Sequence, residues 1–352
     1  MTDTIRAGVI GFGLAGRIFH AAVISATPGL ELAAIVQRTG NEAAKAYPNA
    51  QIYRSIEELL ADTSIRLIAV GTPSFSHFDV AKQCLLADRD VIIDKPFALT
   101  SDEAAQLIRL ARERGRLLTA YQNRRWDGDF KTVEKILVSG ELGRLVTFES
   151  HFDRFRPEPR LRGWRENGGP GGGTLFDLGA HLIDQALTLF GKPESIFASV
   201  RIDRDNGAVD DAFDLTLFYS RLTVYLRAST LAKAPGARFT LHGTQGSFVK
   251  FGLDPQEEQL KSGASFDSPG FGHEPEEAWG KLYLEGAAAP QSVQTEVGDY
   301  RGIYANVRDA LLGVQKLAVT PEQAWRTTRL IELARESNSQ GRVLPVDFSN
   351  EP

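Results

Sequence analysis

Three glycines spaced as Gly11-x-Gly13-x-x-Gly16 stand between an apolar hexapeptide, IRAGVI (5–10), and a run with helical periodicity, RIFHAAVISAT. In that setting each glycine has a mechanical job. The first permits a tight turn out of a strand, the second lets a phosphate group approach the backbone, and the third lets the helix pack on the strand. The helix start beyond them offers free amides and the positive end of its dipole to an anion. Gly11, Phe12, Gly13, Leu14, Ala15 and Gly16 are therefore candidate ligands for the pyrophosphate of a dinucleotide.

The same rhythm continues for about a hundred residues. ELAAIVQR (31–38), RLIAVGTP (66–73), DVIIDKP (90–96) and RLLTAY (116–121) read as strands, with SIEELLAD, HFDVAKQCLLAD and DEAAQLIRLARERG as helices between them. Strands alternating with helices predict a doubly wound parallel sheet with right-handed crossovers. After about residue 140 the pattern changes to LVTFESHF, SIFASVRI, AFDLTLFY, LTVYLRAS, RFTLHG and GSFVKF on short connections. Phe213, Leu215, Leu217 and Tyr219 alternate along one of them, which predicts one buried face of a largely antiparallel sheet. A chain of 352 residues accommodates both. The fold expected is α/β: an N-terminal Rossmann domain over 1–122, then an α+β domain over 123–352 with a large open sheet. A helix at about 320–337 is expected to pack back towards the first domain. The stretch 262–280, rich in Gly, Pro and Ser, reads as the least ordered part of the chain.

Bulk properties narrow the function. A net charge of −5 provides no basic field for nucleic acid or anionic lipid. No apolar run approaches the roughly 20 residues that cross a bilayer. MTDTIRAG lacks the apolar core of a signal peptide, and the single Cys84 excludes an intramolecular disulfide framework. A soluble cytoplasmic protein is expected.

Candidate chemistry lies at strand ends. Gln37 stands where NAD sites carry an acid for the ribose hydroxyls, and Arg38 follows it. No carboxylate there repels a 2′-phosphate and a guanidinium can pair with it, so NADP(H) is expected in preference to NAD(H). Lys95 follows an apolar strand and precedes Pro96, at the edge where doubly wound sheets bind ligands. Asp177 and His181 are four apart in FDLGAHLID, so on a helix they share a face; an N-terminal cap and an incidental histidine explain the same spacing. No second His or Cys stands at metal-ligand spacing, so no metal is expected.

Together these residues carry a resemblance. GVIGFGLAG, GTPSFSH (71–77), DKP (94–96) and WRENGGPGGGTLFDLGAHLID (164–184) resemble the Gfo/Idh/MocA oxidoreductases over essentially the whole chain, with Asp94 in place of that family's usual Glu. YQNRRWDGDF (121–130) with GTLFDLGAHLIDQALTLFG is similar to its NADP-dependent scyllo-inositol dehydrogenases. The resemblance implies that Lys95, Asp177 and His181 are catalytic. It also implies that Thr72, Pro73, His77, Lys95, Trp164 and Arg165 approach the cofactor. Asn123, Arg124, Arg156, Asp177 and His181 are candidates to bind a hydroxyl-rich polyol or sugar.

The expected reaction interconverts a secondary alcohol and its ketone, with an inositol and its inosose as the substrate pair. An aldose or dihydrodiol dehydrogenase, or a nucleotide-sensing regulator without catalysis, would share the fold. One face of the second sheet lacks covering helices, which suggests association, and the resemblance implies a homodimer or homotetramer through that sheet.

Overall fold

The computed structural model describes residues 4–159 and 163–352. Arg160, Leu161 and Arg162 of the basic loop, and the first three residues of MTDTIRAG, lie outside the described residues. The chain divides into two compact units. One takes in the chain up to Asn123 together with Tyr300–Thr328 and Asn350–Pro352; the other takes in Arg124–Asp299 and Arg329–Ser349.

The first unit is built on six parallel strands: β1 (Ile5–Ile10), β2 (Leu30–Val36), β3 (Gln51–Tyr53), β4 (Leu67–Val70), β5 (Asp90–Ile93) and β6 (Leu118–Ala120). Their spatial order is β3-β2-β1-β4-β5-β6. This is the doubly wound order, and the chain reverses direction across the sheet between β1 and β4. β4 and β5 are buried along their whole length, which is why they read as unbroken apolar runs. β3 was not foreseen, because three residues are too few to show a period. β4, β5 and β6 end earlier than the stretches 66–73, 90–96 and 116–121 expected as strands, so Lys95 sits in the loop beyond β5 rather than on the strand. The following helix, Ser101–Arg114, starts at a capping box between Thr100 and Glu103 and stops at Gly115 in the left-handed region.

The second unit carries nine strands: β7 (Leu145–His151), β8 (Ser195–Arg201), β9 (Ala212–Tyr219), β10 (Leu222–Ser229), β11 (Phe239–Gly243), β12 (Gly246–Lys250), β13 (Gly280–Leu284), β14 (Gln291–Val293) and β15 (Leu344–Pro345). The order is β14-β13-β12-β11-β7-β10-β9-β8-β15. Among the described residues of this sheet, only β7 and β10 pair in parallel. The six expected strands are present, extended by three short ones at the edges. Phe213, Leu215 and Leu217 are buried as the alternation predicts, with Phe148, Leu226, Phe239 and Phe248. The helix Ala180–Phe190 covers this face, with the Phe190 ring 5.1 Å from that of Phe148.

The opposite face is half-exposed and ionic: Arg201 and Arg227 both pair with Asp214, at 2.6 and 3.1 Å. The stretch after residue 262 is better held than its composition implies. Phe266 and Phe271 bury their rings against each other, and Gly272 N–H donates to Gln259 Oε1 at 2.8 Å. The helix expected near the C-terminus spans Pro321–Gln340. Among the described residues no helix is long and apolar enough to cross a membrane.

Candidate functional site

The glycine loop follows β1. Gly11 adopts φ +96°, and a Cβ there would meet the Gly71 carbonyl oxygen at 2.9 Å. A Cβ on Gly16 would lie 1.8 Å from the Gly11 oxygen, so the helix packs on the turn only with glycine at that position. Around Gly13 the reverse holds: a Cβ would meet nothing within 4 Å. The first and third glycines are thus required by the protein's own packing, and the second faces open space. The helix begins with a π-turn, Ala15–Ala21, and has no acidic residue in its first turn. π-turns are frequent at functional sites. Leu14 and Arg17 are exposed beside the loop, and Phe12 packs edge-on to Tyr47 with ring centroids 6.1 Å apart. This cradle fits a dinucleotide pyrophosphate: open over Gly13, lined by amides, free of carboxylates.

Beyond β2, the Gln37 side chain turns back into its own loop. Its Oε1 accepts the Ala43 amide at 2.9 Å and its Nε2 donates to the Glu42 carboxylate. Arg38 and Thr39 are exposed, and Arg38 makes no hydrogen bond or ion pair among the described residues.

The loops beyond β4 and β5 are joined by His77. Its Nδ1 lies 2.8 Å from the Pro96 oxygen and its Nε2 lies 2.9 Å from the Thr72 oxygen. Thr72 Oγ1 accepts from the Ser76 hydroxyl at 2.9 Å, and Pro73 O accepts from the same hydroxyl at 2.8 Å. Lys95 is half-buried, its amide donates to Asp94 Oδ1 at 2.9 Å, and the Lys95–Pro96 peptide is cis. Behind this loop lies a polar cluster that no motif signals. Asp94 is buried, 3.9 Å from Nε2 of the fully buried His20. His20 Nδ1 lies 2.7 Å from the Tyr304 hydroxyl, and its ring is 4.6 Å from that of Tyr121. Burial drives the His20 pKa down to about 4 against the smaller opposing pull of Asp94. Asn123 is buried beyond β6.

In the second unit, Asp177 lies in a π-turn, Leu175–Gly179, that leads into the helix Ala180–Phe190 bearing the buried His181. The start of this helix is capped by Asp210, whose Oδ2 accepts the Leu175 amide at 2.7 Å. Its other oxygen lies 2.3 Å from where a Cβ on Gly173 would stand, and Gly173 has φ +96°; the glycine run is the space that carboxylate needs. Asp177 Oδ1 lies 3.5 Å from Arg165 Nε, and the Arg165 guanidinium stacks 4.5 Å over the Trp164 ring. One carboxylate, one imidazole and one stacked guanidinium are therefore presented by adjacent segments.

Arg124 and Arg156, expected as polyol contacts, are each ion-paired. Arg124 pairs with Asp127 at 3.1 Å and with Glu257, over the face of Phe152 at 4.8 Å. Arg156 pairs with Glu166 at 2.7 Å, and Glu166 reaches on to Arg204, itself paired with the fully buried Asp211. Arg125, which sequence reasoning passed over, makes a two-pronged bond to Asp184 at 2.8 and 2.7 Å. Gln185 Nε2 donates to the Arg124 carbonyl at 3.0 Å. The segments NRRW and LIDQ are thus bonded to each other, which is a structural reason for both to be present. Among the described residues no cluster of His, Cys, Asp and Glu could hold a metal ion.

Comparison with known proteins covers both units. The family description "Oxidoreductase family, NAD-binding Rossmann fold" (GFO_IDH_MocA) matches residues 5–122, and its companion, "Oxidoreductase family, C-terminal alpha/beta domain", matches 135–348. The chain is 42% identical to the uncharacterized oxidoreductase YdgJ of Escherichia coli, over 96% of this chain and 97% of that one. It is 35% identical to scyllo-inositol 2-dehydrogenase (NADP(+)) IolW of Bacillus subtilis, over 98% and 97%. The solved structure of YvaA from Bacillus subtilis superposes with a TM-score of 0.95 at 35% identity, covering 99% of each chain.

Proposed function

The chain belongs to the Gfo/Idh/MocA oxidoreductase family, and we propose that it is an NADP-dependent dehydrogenase interconverting a ring hydroxyl of an inositol and the corresponding ketone. The observation that carries the reading is the set of groups at the carboxyl ends of the first sheet. An open glycine cradle, an unpaired Arg38 and the half-buried Lys95 follow β1, β2 and β5 of one parallel sheet. The inositol assignment is supported by the NRRW and LIDQ resemblance and by the IolW relative.

The bound nicotinamide would supply hydride acceptance and donation. The protein's part is proton transfer and orientation. In the oxidising direction the substrate O–H proton passes to a base as the C–H bond breaks, and the Lys95 amine and the His181 imidazole are the proposed bases. The Asp177 carboxylate would balance the positive charge left on the protonated group. In reduction the same ammonium or imidazolium stabilises and protonates the developing alkoxide. Thr72, Pro73 and His77 would shape the wall of the cofactor cleft, with His77 fixing two loops at once. Trp164 and Arg165 are proposed cofactor neighbours, and Asn123 a polyol contact. The half-exposed ionic face of the second sheet is the proposed surface for homo-oligomer formation.

The test is a panel of inositol stereoisomers, aldoses and dihydrodiols with NADP⁺ and NAD⁺, read by absorbance of the reduced nicotinamide. The highest kcat/KM is expected for an inositol with NADP⁺. Faster turnover of an aldose or dihydrodiol would replace the substrate assignment. Cofactor binding with no turnover of any member would leave the regulator reading.

A further inference from the structure

We infer that Arg54 is a positioning residue for cofactor selection: it braces the loop beyond β2 so that Arg38 and Thr39 can receive the 2′-phosphate of NADP. The inference rests on the NADP reading proposed above.

Arg54 follows β3, whose Tyr53 pairs with Val36 at the end of β2. One of its nitrogens, Nη1, donates to the Gln37 carbonyl at 2.9 Å and to the Gly40 carbonyl at 2.7 Å. The other, Nη2, donates to Asn41 Oδ1 at 2.9 Å. These three acceptors lie on either side of Arg38 and Thr39. The Gln37 side chain closes the loop from within, through the Ala43 amide and the Glu42 carboxylate. Gly40, at φ +81°, completes the fold: a Cβ there would come within 2.2 Å of that carboxylate. The backbone of the loop is therefore tied at both ends, and the two residues at its tip stay exposed.

The choice of partners is informative. A surface arginine ordinarily pairs with a carboxylate, which compensates its charge. Arg54 is spent on three neutral oxygens, so its positive charge remains beside the loop. Glu42, the loop's carboxylate, is turned onto the Gln37 amide, and its own backbone amide, together with that bond, holds its pKa below the usual range. A planar guanidinium fork holds several acceptors in one fixed geometry, whereas an ammonium is a compact charge on a flexible stem. A loop already ordered before binding spends less of its interaction with the phosphate on becoming ordered. NADH has no 2′-phosphate and would gain nothing from this arrangement.

The experiment is fluorescence titration of NADPH and NADH on the wild type and on Arg54→Ala, Arg54→Lys, Asn41→Ala and Arg38→Ala, each with its melting temperature measured. Arg54→Ala should weaken NADPH by on the order of tenfold, the scale of a lost charged hydrogen bond, and leave NADH within about twofold. Arg54→Lys keeps the charge and loses the fork, so it should fall near Arg54→Ala. Asn41→Ala removes one of three acceptors and should give a smaller loss in the same direction. Equal losses for both cofactors, or an Arg54→Lys protein with full NADPH preference, would overturn the inference. A wild type with no NADPH preference would remove the NADP reading itself. If Arg38→Ala abolishes the preference and Arg54→Ala does not, that reading stands and only the role of Arg54 fails.

Discussion

His20 Nδ1 lies 2.7 Å from the hydroxyl of Tyr304, a residue 284 positions later in the chain, and both side chains are fully buried. Asp94, His77 and Tyr121 are the other titratable groups around the ring. Burial lowers the His20 pKa from 6.5 to about 4. The unfolded chain therefore binds a proton that the folded chain refuses. The stability this contributes is complete above pH 6.5 and is lost as pH falls towards 4. Between pH 7 and pH 5 the loss should be about 2 kcal/mol. His20→Gln keeps a hydrogen-bonding group opposite Tyr304 and cannot titrate. Urea unfolding at both pH values should show the wild type losing more than the variant by about that amount. Other titrating groups, such as Asp254, whose burial raises its pKa to about 6, are common to both proteins and cancel in the difference. Equal pH dependence in the two would refute the account.

The glycine loop makes two opposite predictions. Gly16→Ala places a methyl group 1.8 Å from the Gly11 oxygen, so the helix must move off β1. That variant should lose stability, seen as a lower melting temperature without any cofactor. Gly13→Ala places its methyl group in open space, so the apo protein should melt normally. It should still bind both NADPH and NADH more weakly, because the methyl group takes the room of the pyrophosphate. A Gly13→Ala protein with normal affinity for both would show that the cradle is not where phosphate binds.

What could be read in advance follows the range of the interactions involved. The parallel sheet was legible because β1, β2, β4 and β5 each declare themselves within a few residues of apolar sequence. The glycine loop was legible because much of its constraint is local: Gly11 sits at φ +96°, and a Cβ on Gly16 would collide with the Gly11 oxygen. β3 and β15 were invisible, at three and two residues, since their pairing comes from neighbours distant in sequence. The site divides in the same way. Lys95, Asp177 and His181 sit in recognisable motifs. His20 is a lone histidine in an apolar helix, and nothing near it in sequence announces Tyr304. For Arg124 and Arg156 a sequence shows the charge and not the carboxylates of Asp127, Glu257 and Glu166 that meet it. Gln37 shows in sequence only as a position without an acid; its bonds to Ala43 and Glu42 depend on loop geometry.

The Arg125–Asp184 fork predicts a loss of stability with a catalytic consequence. Both side chains are almost wholly buried, at 9% and 3% exposure. Removing one partner strands the other charge, so Arg125→Met should destabilise the protein by on the order of 3 kcal/mol. Arg125→Met with Asp184→Leu should recover part of that, because no unpaired charge remains. Asp184 stands three residues after His181 on one helix; if His181 takes the proposed part in proton transfer, the single variant should also lower kcat with a smaller change in KM. Single and double variants of equal stability would mean that the fork contributes no more than packing.

The last prediction concerns Lys95. Its backbone N–H donates to Asp94 Oδ1, and the His77 ring reaches the Thr72 and Pro96 oxygens, so the loop's backbone has ties of its own. Lys95→Ala should therefore fold, melt close to the wild type and bind NADPH. If the amine transfers the substrate proton, kcat should fall by roughly 10²–10⁴-fold, the contribution of a positioned acid–base group. Lys95→Arg should recover little, because a guanidinium stays protonated and cannot act as a base. Asp177→Asn and His181→Ala should each lower kcat as well. Combined with Lys95→Ala they should add little further loss, as groups acting in one proton transfer do. If the three groups share one proton, the pH profile of polyol oxidation should rise through an apparent pKa that shifts in each single variant. A Lys95→Ala enzyme with near-normal kcat, or three losses that multiply independently, would return Lys95 to a cofactor contact with no part in proton transfer.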